Sequence, residues 1–306
     1  MTDKNAPDWI AVDWGTTRLR VWAMGPDGAI AAKSADQGMA GLTATQFEPV
    51  LRNLIADWLP DEGLDGGRVE VLACGMVGAR TGWIEADYRA VPCTPLDAKR
   101  AIRPQVLDPR LSVRILPGLS QASPPDVMRG EETQIAGFLA QNPEFEGALC
   151  LPGTHSKWVE IADGQVRRFQ TFMTGEQFAL LSQQSVLRLS IGNVAPDVDA
   201  FDAGAALAVA DPLAATRALF ALRAAALLDG ATGSVTAGRL SGLLIGAEIA
   251  AARDYWQDRQ VVLIAAPALT TLYARALAQA GCEAGVTDGG ELVLAGLTAA
   301  HRQLQD

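Results

Sequence analysis

Short apolar runs separated by turns set the pattern of the chain from its start. "WIAVDW" (9–14) and "LRVWAM" (19–24) read as strands joined by a Gly-Thr-Thr turn, and "GPDG" (25–28) precedes a third strand in "AIAAK". Residues 44–59 place Phe47, Leu51, Leu54, Ile55 and Trp58 at helical spacing. "RVEVLACG" (68–75) is a buried-type strand that runs into the glycine-rich loop "CGMVGARTGW". Residues 117–125 are turn-rich, and "DVMRGEETQIAGFLAQ" (126–141) predicts a helix. Further helices are expected over roughly 176–190, 212–229 and 241–258. A late strand is expected in "VVLIAAP" (261–267), followed by a helix and a closing helix from "DGGE" onward. Strands alternating with helices indicate an α/β protein.

One pattern occurs twice. In "GALCLPGTHSKWVEIADGQVRRFQT" (147–171) an apolar strand again runs into Gly-Thr, then into a second strand and an Asp-Gly turn. Gly153-Thr154 answers Gly15-Thr16, and "ADG" answers "PDG". The repeat suggests two similarly built halves, divided here as residues 1–141 and 142–306.

Composition narrows the class. The 306 residues are 49% hydrophobic, enough for a large core. No apolar stretch reaches membrane-span length, and the first residues, "MTDKNAPDW", carry no apolar signal segment, so the cytoplasm is the expected compartment. A net charge of −10 argues against a nucleic-acid partner. Four scattered cysteines and two distant histidines, His155 and His301, suggest free thiols and no metal cage.

A strand ending in Asp13 beside Gly15, Thr16 and Thr17 suits phosphate and magnesium. Glycine lets the backbone approach a phosphate, backbone N–H groups and hydroxyls donate to its oxygens, and a carboxylate holds the cation directly or through water. An ordinary capped hairpin would look the same. The second turn, Gly153, Thr154, His155 and Ser156, favours a pair of turns clamping one polyphosphate. Lys157 either contacts phosphate or ends the turn facing solvent.

The motifs "DWGTTRLR" and "PGTHSK" resemble the two phosphate motifs of the actin/sugar-kinase/heat-shock ATPase superfamily. "GMVGARTGWIEADYRAVPC", "PDVMRGEETQ", "PGTHSKW…TFMTGE" and "LSGLLIGAEI" are similar, in order and spacing, to the 2-dehydro-3-deoxygalactonokinase family. The resemblance implies two ribonuclease-H-like domains around a central nucleotide cleft. It also implies ATP-dependent phosphorylation of the 6-hydroxyl of 2-dehydro-3-deoxy-D-galactonate, a small-molecule sugar acid, in galactonate breakdown. ATP and Mg2+ are the implied cofactors, and a homo-oligomer stays open. The alternatives are another sugar or sugar-acid kinase, a polyphosphate hydrolase, or a non-catalytic ATP-binding actin-like module.

The acceptor hydroxyl needs a carboxylate to take its proton. Glu131 and Glu132 are the candidates. If the helix starts near residue 126, Met128, Glu131, Ile135 and Phe138 share a face, so Glu131 is the one set among apolar residues and is preferred. The substrate carboxylate calls for arginine. Arg80, Arg129 and the pair Arg18 and Arg20, expected at i, i+2 on one strand face, are candidates, with Arg129 equally able to pair with Glu132 or Asp126. Trp83 and Tyr88 either wall the sugar-acid pocket or pack in the core. One departure from the superfamily is "LIAAPALTTLY", where Ala265-Ala266-Pro267 stands in place of the usual Gly-Gly adenosine motif; Gly289 and Gly290 of "DGGE" are the substitutes on offer.

Overall fold

The computed structural model describes residues 7–60 and 68–305. The opening segment read above as lacking a signal lies largely outside the described residues. By contacts the chain divides into two units. The first takes the chain up to Glu144, residues 164–166 and the stretch from Gly290 onward; the second takes Phe145–Asp163 and Arg167–Gly289. A single cut at 141/142 therefore leaves the closing helix on the wrong side.

The first unit holds β1 (Trp9–Trp14), β2 (Leu19–Gly25), β3 (Gly28–Ala35), α1 (Phe47–Leu54), β4 (Val69–Gly75), β5 (Tyr88–Ala90), β6 (Leu111–Ile115), β7 (Gly118–Ala122), β8 (Pro125–Met128) and α2 (Glu131–Gln141). Its main sheet runs β3-β2-β1-β4-β6, and β5-β7-β8 form a small second sheet. β1 pairs antiparallel with β2 and parallel with β4, and β4 pairs parallel with β6.

Both faces of the main sheet are covered. Ile10, Val12 and Trp14 enter a core with Phe47, Leu51 and Ile55 of the α1 region, while Trp9 and Ala11 enter another with Ala136 of α2 and Val293, Leu297 and Ala300. These last three lie on α10 (Gly289–Gln305). Where α2 and α10 cross, a Cβ on Gly137 would overlap the Leu292 carbonyl, and one on Gly296 the Thr133 carbonyl. That backbone-to-backbone approach is why the closing helix belongs to the first unit.

The second unit repeats the plan with β9 (Gly147–Leu151), β10 (Ser156–Ala162), β11 (Gln165–Phe172), β12 (Val261–Ala265) and β13 (Ala284–Asp288), in the order β11-β10-β9-β12-β13. β9 is antiparallel to β10 and parallel to β12, which is parallel to β13. Between β11 and β12 lie α3 (Thr174–Gln183), α4 (Arg188–Ile191), α5 (Val198–Ala210), α6 (Pro212–Leu228), α7 (Gly233–Ala251) and α8 (Arg253–Trp256), and α9 (Pro267–Gln279) follows β12. Each unit is thus ribonuclease-H-like, and the strand–turn–strand repeat read from the sequence is the first hairpin of each sheet.

Several elements differ from expectation. Residues 125–128 are strand β8, and the helix expected from 126 begins only at Glu131, because Gly130 takes φ +105°, which no helix contains. The turn-rich 117–125 stretch is largely β7, while β13 and α5 were not anticipated. The helix expected over 44–59 is broken into α1 flanked by single 3-10 turns. Among the described residues, no helix is long and apolar enough to cross a membrane.

Candidate active site

The strand period places Asp13 on the same sheet face as Trp9 and Ala11, the face covered by α2. Asp13 stands opposite Arg20 in the β1–β2 register, and Arg20 donates to its Oδ2 from Nε at 3.0 Å and from Nη2 at 2.6 Å. Among the described residues the other oxygen, Oδ1, meets only the weak Cys74 thiol donor, at 3.8 Å. Gly75 ends β4 at φ +90°, where a Cβ would come within 2.7 Å of the Trp14 carbonyl and 3.3 Å of Asp13 Oδ1. A Cβ on Gly130 would lie 3.4 Å from the Gly75 Cα. Asp13, Gly75 and the start of α2 therefore meet at the carboxyl ends of β1 and β4, the edge at which ligands bind α/β sheets.

The first turn projects from this edge. Gly15 N–H donates to the Arg18 carbonyl at 2.9 Å, and Thr16 and Thr17 are exposed. The chain after β3 backs the turn. Gly38, Met39 and Ala40 donate their N–H groups to the carbonyls of Thr17, Gly15 and Thr16, and a Cβ on Gly38 would overlap the Thr16 backbone.

The acidic pair is divided otherwise than the helical wheel suggests. Glu132 is 1% exposed, and Glu131 is half-buried. The wheel assumed a helix from residue 126. With the start at Glu131 and α10 packed across α2, the buried side takes in Glu132, Thr133, Ile135 and Ala136. Glu132 Oε2 accepts the Gly130 N–H at 2.6 Å and Glu131 Oε2 accepts the Arg129 N–H at 3.1 Å. Burial, with the neighbouring Glu131 charge, pushes the Glu132 carboxyl up to about 8. The Cys74 thiol is also pushed up, by burial and by Asp13 and Glu132.

The arginines separate. Arg18 lies before β2 and pairs with exposed Asp36 at 3.3 Å, and Arg20 is committed to Asp13. The two do not form one anion-binding face. Arg80 is exposed on the loop after β4. Arg129 is 8% exposed, donates from Nη2 to the Ala86 carbonyl at 2.7 Å and lies 4.3 Å over the Tyr88 ring. Its buried Nε and Nη1 have no hydrogen-bond partner among the described residues. Trp83 packs against Phe47 and Trp14 at the edge of the core.

In the second unit the Gly153 turn follows β9, and a Cβ on Gly153 would meet open space. Thr154 and His155 are exposed, with His155 Nε2 2.5 Å from Glu176 Oε2. The start of α3 braces this turn as the 38–40 segment braces the first. Glu176 N–H donates to the Thr154 carbonyl at 3.0 Å, and a Cβ on Gly175 would overlap the Gly153 carbonyl. Ser156 and Lys157 point away from the turn's rim. Both are buried, Ser156 Oγ lies 2.8 Å from Tyr273 Oη, and Lys157 Nζ donates to the His155 carbonyl at 3.2 Å. On the Ser156 side lies a buried carboxylate, Glu248, which accepts from Trp158 Nε1 at 2.9 Å and Tyr273 Oη at 2.7 Å. Burial raises Glu248, and bonds from Thr174, Tyr273, Trp158 and Ser156 oppose the rise. Ala265 pairs with Asp288 in the β12–β13 register, so Ala266-Pro267 and Gly289-Gly290 leave the same edge of this sheet side by side.

Asp13 and the turn beside it have the donor types that a magnesium-bound phosphate would need. Among the described residues no three His, Cys, Asp or Glu side chains could cage a metal. Magnesium does not need a cage, because it keeps waters and takes one or two carboxylates plus phosphate oxygens. In the first unit Asp13 Oδ1 could accept such a cation, with the exposed Thr16 and Thr17 hydroxyls beside it; in the second unit, taken by itself, Thr154 is likewise exposed.

Comparison with known proteins decides the family. The sequence profile described as 2-keto-3-deoxy-galactonokinase matches residues 13–300. A protein of Rhizobium meliloti named as a probable 2-dehydro-3-deoxygalactonokinase is 40% identical, over 97% of both chains. The 2-dehydro-3-deoxygalactonokinase of Escherichia coli is 34% identical, over 94% of this chain and 96% of its own. The chain belongs to the 2-keto-3-deoxy-galactonokinase family. A crystal structure provisionally assigned as a 2-dehydro-3-deoxygalactonokinase of Sinorhizobium meliloti superposes with a TM-score of 0.88 at 37% identity, covering 97% of this chain and 99% of that one. Component A of the (R)-2-hydroxyglutaryl-CoA dehydratase of Acidaminococcus fermentans, 12% identical, covers 97% of this chain and 98% of its own with a TM-score of 0.51, a likeness of fold alone. The fold is that of the actin-like ATPases and sugar kinases.

Sequence reasoning passed over several residues that brace the two turns and fill the second unit's interior. Gly38 and Gly175 are spaced alike, each shortly after the third strand of its unit, and the internal repeat could have revealed them. Glu248 and Tyr273 stand in helices far along the chain from Ser156, and no local pattern links them.

Proposed function

We propose that this protein transfers the γ-phosphoryl group of ATP to the 6-hydroxyl of 2-dehydro-3-deoxy-D-galactonate, in the cytoplasm, during galactonate breakdown. The observation that carries the site assignment is the meeting of Asp13, Gly75, Gly130 and Glu131 at one sheet edge of the first unit, in a member of a sugar-acid kinase family.

Phosphoryl transfer asks a protein for positioning and charge neutralisation more than for covalent chemistry. Asp13 would hold Mg2+, which would neutralise phosphate charge, and Arg20 fixes the carboxylate's orientation. Gly15, Thr16 and Thr17, and separately Gly153, Thr154 and the backbone of His155, donate to phosphate oxygens. Ser156 and Lys157 act beneath the second turn, where they keep its shape. Glu131, the carboxylate with exposed surface, accepts the proton of the 6-hydroxyl as that oxygen bonds to phosphorus and the bond to ADP breaks. Glu132 holds the Gly130 N–H and thereby the start of α2. Arg129, stacked on Tyr88, takes the sugar-acid carboxylate, with Arg80 as a second cation and Trp83 as an apolar wall.

A coupled ADP-release assay with ATP and Mg2+ tests this reading. Turnover is expected with the galacto acid and not with galactose, and Glu131→Gln is expected to lower kcat by about 10²–10⁴-fold. Turnover that survives Glu131→Gln would remove the assignment of the base, and no turnover of the acid would remove the proposed reaction.

A further inference from the structure

We propose that the outer face of α6 is a homodimer interface, formed by two antiparallel copies of the helix around a twofold axis at Phe220. The helix reads "PLAATRALFALRAAALL". Its inner side is accounted for, since Ala214, Ala215 and Leu222 are buried and pack with α5 and α7 residues such as Ala208, Leu240 and Leu243. The outer side is largely apolar, its exposed polar residues being Thr216 and Arg217, the latter paired with Asp211. Leu213 is 68% exposed, Phe220 70%, Leu227 65% and Leu228 83%. A helix that is apolar all round belongs inside a structure, not on its surface.

The spacing selects a second copy of this chain as the occupant. Leu213, Phe220 and Leu227 are seven residues apart, so they form one straight stripe along the helix. The stripe is symmetric about Phe220. An antiparallel copy centred there sets Phe220 on Phe220 and Leu213 on Leu227, and each contact occurs twice, as an isologous interface requires.

Charge points the same way. The chain carries −10 overall, yet residues 212–228 contain no Asp or Glu. Copies that repel elsewhere meet no acidic group along this helix until its ends. In the antiparallel register Asp229 falls opposite Asp211, whose charge is already compensated by an ion pair with Arg217. Arg223 is turned toward its own unit, donating to Ser190 Oγ at 2.8 Å. Ser190 adjoins Leu189 of α4, which is 61% exposed and widens the patch.

The area suffices as a nucleus. The exposed parts of the four α6 side chains amount to roughly 500 Å² per copy, and with the flanking Leu189, Thr216 and Ala221 the face nears the ~800 Å² per partner of a standard interface.

The test is sedimentation velocity on the full-length protein at micromolar concentration. The expected species has twice the 32.2 kDa chain mass. Phe220→Asp changes an exposed side chain, so the thermal melt is expected to stay close to wild type, while the dimer dissociation constant rises by roughly a hundredfold or more because both copies carry the charge into the centre. Phe220→Cys is expected to give an intermolecular disulfide on mild oxidation that wild type, with its four native cysteines, does not give. A wild-type monomer across the micromolar range would overturn the proposal. So would a dimer that survives Phe220→Asp and fails to crosslink through Phe220→Cys.

Discussion

Glu132 Oε2 accepts the N–H of Gly130 at 2.6 Å from a position almost wholly out of solvent. That bond holds a glycine in a conformation closed to other residues, at the point where α2 meets β4. The carboxyl doing so is pushed up to about 8, which makes its cost dependent on pH.

The sign follows from proton counting. Between roughly pH 4.5, the ordinary value, and about 8, the folded protein binds a proton at Glu132 that the unfolded chain releases. Stability from this group is therefore complete below the unfolded value and is lost as pH rises toward the folded one, with a slope of up to ~1.4 kcal/mol per unit. Glu132→Gln removes the slope. Thermal melts at pH 5.5 and 8 should show the variant gaining on wild type at the higher pH, and a pH-independent difference would contradict the assignment.

Gly38 and Gly175 brace the two turns by backbone contact alone. Gly38→Ala or Gly175→Ala forces a methyl group into the Thr16 or Gly153 backbone. Each should destabilise by about 1–3 kcal/mol. Each should also raise KM for ATP several-fold, measured by initial rates. An unchanged KM with lowered stability would separate the brace from nucleotide binding.

Glu248 is the acceptor for Trp158 and Tyr273 in the interior of the second unit. Glu248→Ala leaves both donors buried without it, at a cost of about 1–3 kcal/mol each. Tyr273→Phe removes one donor and should cost about 1 kcal/mol. Urea midpoints for the two variants should therefore fall in that order.

Arg129 stacks on Tyr88 and donates from Nη2 to the Ala86 carbonyl, while its buried Nε and Nη1 have no hydrogen-bond partner among the described residues. Lysine keeps the charge and loses the planar fork. Arg129→Lys should raise KM for the sugar acid at least tenfold and leave KM for ATP near wild type. Equal effects on both would indicate a structural role only.

Much of the two glycine turns proposed to bind phosphate was legible in the sequence, because turn chemistry is local. Asp13 with Gly15 to Thr17, and Gly153 with Thr154, stand in consecutive residues between strands, and their repetition disclosed the duplicated sheet. The acidic pair was legible as a pair, but the burial of Glu132 rather than Glu131 was not. Which of Glu131 and Glu132 is buried depends on where α2 begins and on α10, which crosses it at Gly137 and Gly296 from the far end of the chain. The same reason hid Glu248. A carboxylate on an apolar helix is explained only by Trp158 and Tyr273, which reach it from other elements. Arg18 and Arg20 misled because i, i+2 spacing assumes both lie in the strand, while Arg18 lies in the turn before Leu19.

The most direct test of the central claim is the identity of the product. Protein, ATP, Mg2+ and 2-dehydro-3-deoxygalactonate would be followed by proton-coupled phosphorus NMR. The account predicts one new phosphomonoester signal, coupled to the two methylene protons at carbon 6, growing in step with ADP. A signal coupled to a single proton would place the phosphoryl group on a secondary hydroxyl. Inorganic phosphate alone would make the protein a hydrolase. Either result would contradict transfer to the 6-hydroxyl.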